Sequence, residues 1–359
     1  MPTVLKRVVA GILFLCILGI LLLWAGGTCT FTGANSEKKF WDLFYSLKDE
    51  ELDAVIVGSS AIYHYYSPAQ AYNTQKLHSV IIASAAQPIE VIPYLVEEIE
   101  KNDNAGLIVV ELRNVLRNDL YKDKDSIEEK YFRRAMSVLA MHPFSPNRIK
   151  AVFERLTGNE TTPFIEYLFP VLQYHENVYS LPMKEIAFPN EVDFENFFGI
   201  DLLTESTDFS EAEKEMREEP VTENSHISEE SKKLIDEIAQ IVRSHGTKLL
   251  FVLTPYIYNA DENAAAGELK EYLAEKNYDF LNCNDYAEEI GLDSSADYSD
   301  MHHTNAIGVQ KFTSWFAGYL AEHYEFKDHS SEKTEAKWQN LGENWKRKYS
   351  EYVDIITQN

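Results

Sequence analysis

The sequence predicts an α/β domain built on a mostly parallel sheet and carried on one N-terminal transmembrane helix. Three observations predict it. Apolar runs of strand length recur at 54–57, 80–83, 106–112, 248–254 and 278–282. Segments with apolar residues at helical spacing lie between them, as in chains whose sheets are covered on both faces. An uncharged stretch of eighteen residues, Val8 to Ala25, precedes all of this and is about long enough to span a bilayer.

Taken in order, Lys6 and Arg7 precede the apolar stretch and Trp24 closes it, which predicts a cytoplasmic N-terminus and an extracytoplasmic remainder. A cleaved signal peptide is the rival reading, with Ala25-Gly26-Gly27 as the small-residue site. Residues 1–27 thus read as the cytoplasmic end and anchor, and 28–51 as a stalk and packing helix. In the latter, Phe40 to Leu47 carries aromatic and apolar residues at helical spacing.

Residues 52–326 read as the α/β domain. Ile89 to Lys101 places Ile89, Ile92, Leu95, Val96 and Ile99 on one helical face. Ser228 to His245 does the same with Leu234, Ile235, Ile238, Ile241 and Val242, with Ser228 as N-cap and Gly246 as the stop. Glu268 to Lys276 and Ile307 to Tyr324 are the remaining predicted core helices. An insertion at about 121–227 breaks the alternation. It is rich in proline and aromatics, and helices are expected around Ile127–Leu139 and Ile149–Leu156. Residues 201–230, with eleven acidic and two basic side chains, read as a mobile exposed loop. The tail, 327–359, carries Trp338, Leu341, Trp345, Tyr349 and Tyr352 on one stripe that should pack on the core.

Composition narrows the partners. The chain has 359 residues, 45% of them hydrophobic, with 21 Tyr and 19 Phe, which is ample for a core. A net charge of −25 repels nucleic acid and anionic lipid, so neither is expected as a partner. Cys29 and Cys283 lack metal-ligand spacing and can be either a disulfide or two free thiols. His302 and His303 are adjacent rather than four apart, so no metal site is expected.

Chemistry concentrates in two places. Val55-Ile56-Val57-Gly58-Ser59-Ser60 runs an apolar strand into a small-residue turn, where Gly58 permits a sharp bend and Ser60 is a candidate nucleophile. A serine hydroxyl needs a base to remove its proton. Asp300-Met301-His302-His303-Thr304-Asn305-Ala306-Ile307-Gly308 supplies one, since an Asp three residues before a His can orient the imidazole and stabilise its charged form. The plainer alternatives are an N-capping serine at 59–60 and an Asp-capped helix start at 300.

Together, Gly-x-Ser after the first strand and D-x-x-H-x-N-x-x-G before the last helix resemble the SGNH/GDSL hydrolase superfamily. The resemblance covers about Leu52 to Leu320 and is specific at the two ends. It implies a three-layer, flavodoxin-like sheet and ester hydrolysis or acyl transfer, with Ser60 as nucleophile and Asp300 and His303 as its partners. Gly58 and Asn305 support the motif. Ser59 stands where the family usually has Asp. The oxyanion donors also depart from the pattern: Gln87, Arg113 and Asn114 are the candidates beside the Ser60 N–H, for the oxyanion or for substrate. These departures, with the N-terminal anchor, Gln87-Pro88, Glu111-Leu112-Arg113, Leu250 to Pro255 and Gln173 to Asn177, resemble a membrane-anchored cell-envelope branch. That branch includes relatives of proteins that acetylate exported polysaccharides and D-alanylate teichoic acids. It implies an acylated glycan or envelope polymer as substrate and a membrane-bound O-acyltransferase as partner. The expectation is a membrane-anchored, extracytoplasmic serine esterase or O-acyltransferase. Its alternative is a non-catalytic glycan-binding or assembly module on the same scaffold.

Overall fold

The apolar runs assemble into one five-stranded sheet in which every neighbouring pair is parallel. A computed structural model of the chain describes residues 3–29, 37–116, 144–156, 164–180, 199–223, 225–330 and 333–358. The predicted helix around Ile127–Leu139 lies outside them.

Helix α1 (Thr3–Cys29) is the apolar helix, and Thr3–Gly26 is long and apolar enough to cross a membrane. It continues through Ala25-Gly26-Gly27 without a break. Its surface is exposed except at the C-terminal end, where Gly26 and Cys29 are buried. Helix α2 (Glu37–Ser46) buries Phe40, Trp41, Leu43 and Phe44. Strand β1 (Leu52–Gly58) is buried at every residue, as expected of a central parallel strand. Two short helices follow, α3 (Ser60–Tyr63) and α4 (Pro68–Gln75), then β2 (Ser79–Ala83), α5 (Ile92–Glu100) and β3 (Ala105–Glu111).

The described parts of the insertion are α6 (Pro146–Leu156), α7 (Phe164–Leu168), α8 (Val171–Tyr174) with a 3-10 turn at His175–Ser180, and α9 (Ser210–Glu218). Helix α6 packs on α5, where Tyr94 donates to Glu154 Oε2 at 2.7 Å, while α8 and the 3-10 turn pack on the end of α1. The acidic stretch differs from the mobile loop its composition suggests. Asp201 N–H donates to Tyr63 O at 2.8 Å, Thr207 N–H to Tyr298 O at 3.0 Å, and Leu203 O accepts from Ala306 N–H at 3.0 Å. Helix α9 then buries none of its residues. Charge reports the solvated face but is blind to non-local backbone bonds.

Helix α10 (Glu229–His245) is capped by Ser228, which accepts from Ser231 N–H at 3.0 Å, and ends at Gly246 in the left-handed conformation. Strand β4 (Lys248–Leu253) leads to α11 (Ala260–Glu275), which starts well before the apolar stripe begins. A capping box of Asn259 and Glu262 starts it, and its first turns are small residues that mark no stripe. Strand β5 (Phe280–Asn282), α12 (Ala287–Ile290) and an antiparallel hairpin of β6 (Tyr298–Asp300) and β7 (His303–Thr304) precede α13 (Ala306–His323) and α14 (Glu335–Gln358).

Strand order is β2-β1-β3-β4-β5. Helix α5 touches α10 and α4 touches α13, the two pairings that the usual right-handed crossovers place on opposite faces of this strand order. Helix α14 packs on α4: Trp338 and Trp345 are fully buried, Trp338 stacks on His78 at 4.3 Å, and Trp345 Nε1 donates to Gln70 Oε1 at 2.9 Å. Cys29 and Cys283 are buried and are not joined to each other in a disulfide.

Candidate active site

The chain passes from β1 to β2 on one side and then crosses back to β3 on the other side of β1, which reverses the direction of winding. Doubly wound sheets open a crevice at the carboxyl ends of such strands. Ser59 and Ser60 emerge there from β1, Ser84 to Gln87 from β2, and Arg113 and Asn114 from β3.

At the first exit the two serines divide the work. Ser59 is the N-cap of α3: its backbone is extended and its Oγ accepts from Ala61 N–H at 3.2 Å. The same hydroxyl donates to Glu111 Oε2 at 3.0 Å. Ser60 is therefore the first helical residue, with its hydroxyl free of capping duty. Gly58 is required by close approach, because a Cβ there would lie 2.8 Å from both Glu111 Cβ and Ile62 Cγ1. Glu111 is buried and also accepts from Arg113 N–H. Burial pushes its carboxyl up, against the opposing pull of Arg113 and these hydrogen bonds.

Asp300 caps no helix. Asp300 and His303 are paired residues of the β6–β7 hairpin, whose turn is Met301-His302. Residues paired across an antiparallel ladder place their side chains together on one face. Asp300 Oδ2 accordingly lies 2.8 Å from His303 Nδ1, while Asp300 Oδ1 accepts from His302 N–H at 2.8 Å. Partial burial disfavours the Asp300 carboxylate, but the bonds from His303 and His302 outweigh it and hold its pKa down to about 2. On the other side of the ring, His303 Nε2 lies 2.8 Å from Ser60 Oγ. Ser60, His303 and Asp300 thus form one continuous hydrogen-bonded chain.

The hairpin is held by what surrounds it. His302 O accepts from both Tyr65 Oη at 2.9 Å and Arg113 Nη1 at 2.7 Å. Arg113 is buried, with its guanidinium 4.8 Å from the Tyr256 ring centre. Asn305 is the cap of α13: its Oδ1 accepts from Ile307 and Gly308 N–H at 3.0 and 3.2 Å, and its Nδ2 donates to Ala296 O at 2.7 Å. Gly308 admits no side chain, since a Cβ would sit 2.6 Å from Asp297 O.

The three sequence-derived donors separate. Arg113 spends Nη1 on the hairpin, and Asn114 Nδ2 donates to Gln87 O at 2.9 Å. Gln87 is buried, its Oε1 accepts from Ser84 Oγ at 3.3 Å, and its Nε2 has no acceptor among the described residues. The Ser60 N–H, at the first helical position, is one of the donors a helix start leaves without an intrahelical acceptor.

One neighbour escaped sequence reasoning. His64 packs edge-on against His303 with ring centres 4.5 Å apart, and its Nδ1–H donates to Asp201 O at 2.8 Å. Burial, reinforced by the His303 charge, lowers its pKa to about 4, so His64 is neutral at neutral pH. Its place four residues after Ser60 was the available signal. His175, in the insertion, is exposed and outside this constellation.

Searches against family models, curated proteins and solved structures return no match to this chain.

Proposed function

We propose that the chain is a membrane-anchored serine esterase or O-acyltransferase of the SGNH type, acting outside the cytoplasm on acyl esters of an envelope glycan or polymer. The observation that carries this reading is the Ser60–His303–Asp300 chain, with both contacts at 2.8 Å. In the first step His303 Nε2 takes the Ser60 proton as Oγ bonds to the acyl carbon. The protonated imidazole then passes that proton to the departing alkoxide, leaving an acyl-serine. In the second step His303 deprotonates the acceptor, water for hydrolysis or a glycan hydroxyl for transfer, and returns the proton to Ser60 Oγ. Asp300 stays ionised and keeps Nδ1 protonated throughout. The Ser60 N–H and Gln87 Nε2 are the donors best suited to the oxyanion. This chemistry needs no metal or cofactor. The strand order, 2-1-3-4-5, is the flavodoxin-like one and supports the SGNH reading of the fold.

Anchoring through α1 is supported by its length and apolar composition and by the contact of Gly26 with Pro170. A membrane-bound O-acyltransferase is the proposed acyl donor partner. The commitment of Arg113 and Asn114 to structural bonds favours a second reading, a non-catalytic glycan-binding or assembly module, because each missing oxyanion donor costs roughly 2.7–4 kcal/mol.

The deciding experiment is covalent labelling of the detergent-solubilised full chain with a fluorophosphonate. One adduct on Ser60, lost in Ser60→Ala and His303→Ala, is the expected result. A folded protein that takes no label favours the binding module.

A further inference from the structure

Helix α1 meets the rest of the molecule at its C-terminal end. There a Cβ on Gly26 would lie 3.3 Å from Pro170 Cδ and 3.5 Å from Val171 N, so the start of α8 is in direct contact with the helix. The 3-10 turn His175–Ser180 packs on the same end. The level of this contact in a bilayer follows from length. Counting from Val8, the first residue after Lys6 and Arg7, about 20 residues at about 1.5 Å each are needed to cross about 30 Å of hydrocarbon. That places Gly26 at the far edge of the hydrocarbon.

Apolar side chains are exposed at the same level. Leu172, next to the contact residue Val171, is 45% exposed, and Tyr179 in the 3-10 turn is 90% exposed. Trp24, two residues from Gly26 on α1, is 55% exposed. Single exposed apolar residues are ordinary. Leu172 and Tyr179 instead sit on the two segments that touch the end of α1, near the level of Trp24, and Tyr and Trp are the aromatic types that favour the membrane–water interface.

We propose that α8 and the following 3-10 turn rest on the bilayer, with Leu172 and Tyr179 immersed at the headgroup–acyl boundary at the level of Trp24. The insertion is then a second membrane contact that fixes the domain's tilt on its anchor, rather than leaving it on a free stalk. The occupant is lipid, because both segments touch α1 at the level where that helix leaves the hydrocarbon. This inference rests on the reading that α1 spans the membrane.

The test uses the full chain with Cys16→Ala, reconstituted in phosphatidylcholine nanodiscs and spin-labelled at single introduced cysteines; Cys29 and Cys283 are buried. Tyr179→Cys and Leu172→Cys are compared with Leu13→Cys in the middle of α1 and Lys233→Cys on the exposed face of α10. The readout is nitroxide access to oxygen relative to a water-soluble nickel chelate. A ratio at 172 and 179 several-fold above that at 233 is expected. A ratio at 172 and 179 equal to that at 233, with 13 reading as lipid, overturns the proposal and leaves the patch to a protein partner. If 13 itself reads as water, the anchor reading fails and this inference falls with it.

Discussion

At the residue scale, His303 is the hub, and its two neighbours lead to different tests. In the proposed reaction Asp300, 2.8 Å from Nδ1, holds the tautomer in which Nε2 takes the Ser60 proton. Asp300→Asn keeps the size of the side chain but presents an amide, which favours the wrong tautomer. Turnover should fall by about four orders of magnitude with little change in melting temperature, measured by ester hydrolysis and circular dichroism. His64 leads to a pH test. Its native pKa of about 4 lies below the usual 6.5, so between these values the unfolded chain binds a proton that the native state refuses. Stability therefore falls as pH drops from 6.5 toward 4, by about 3 kcal/mol from this group. In His64→Phe that part of the slope should vanish in urea titrations at pH 7 and pH 4.5. An unchanged slope would show that His64 is protonated in the native state.

The element scale explains why a three-residue spacing works. An Asp and a His three apart can share a helix face, but here they share a rung of the β6–β7 hairpin. The hairpin has two strands and a two-residue turn, and such an isolated unit has little stability of its own. It is held by donors from outside it, Tyr65 from the β1 side and Arg113 from the β3 side, both on His302 O. The helix after it begins at Asn305, whose side chain makes three hydrogen bonds. Asn305→Ala should cost about 1–2 kcal/mol in chemical denaturation, through the lost cap. It should also lower turnover, because the Asn305 bond to Ala296 O ties the α13 start to the segment leading into the hairpin.

For the whole molecule, two segments far apart in the chain are brought together at the carboxyl end of β1. Ser60 leaves the first strand and His303 precedes the last core helix, 243 residues later, yet they touch. The C-terminal helix stabilises this arrangement from behind α4. Its Glu335 accepts from Tyr72 Oη and lies 3.3 Å from His78 Nε2. Trp338→Ala would leave a large cavity between His78 and Tyr72, and should destabilise the domain by about 3–5 kcal/mol in urea unfolding. The residual folded fraction should retain the reactivity of Ser60, since the tail touches the sheet far from the carboxyl ends of its strands.

The sequence by itself determined the strands, most of the helices and the long apolar N-terminal helix, because burial on both faces, helical amphipathicity and an uncharged run leave readable traces in the chain. It also determined which residues compete for the chemistry, since few stretches pair a glycine turn with a serine or an aspartate with a histidine. Tertiary structure alone decided how those residues are used. Ser59 rather than Ser60 caps α3, Asp300 faces His303 across a hairpin, and Arg113 and Asn114 brace backbone carbonyls, leaving Gln87 Nε2 without an acceptor among the described residues. It alone decided that His64 backs the imidazole and that the acidic 201–207 segment is clamped across the site. Each of these depends on a hydrogen bond or ring contact between residues distant in sequence or on a choice between adjacent ones, and neither leaves a period to read.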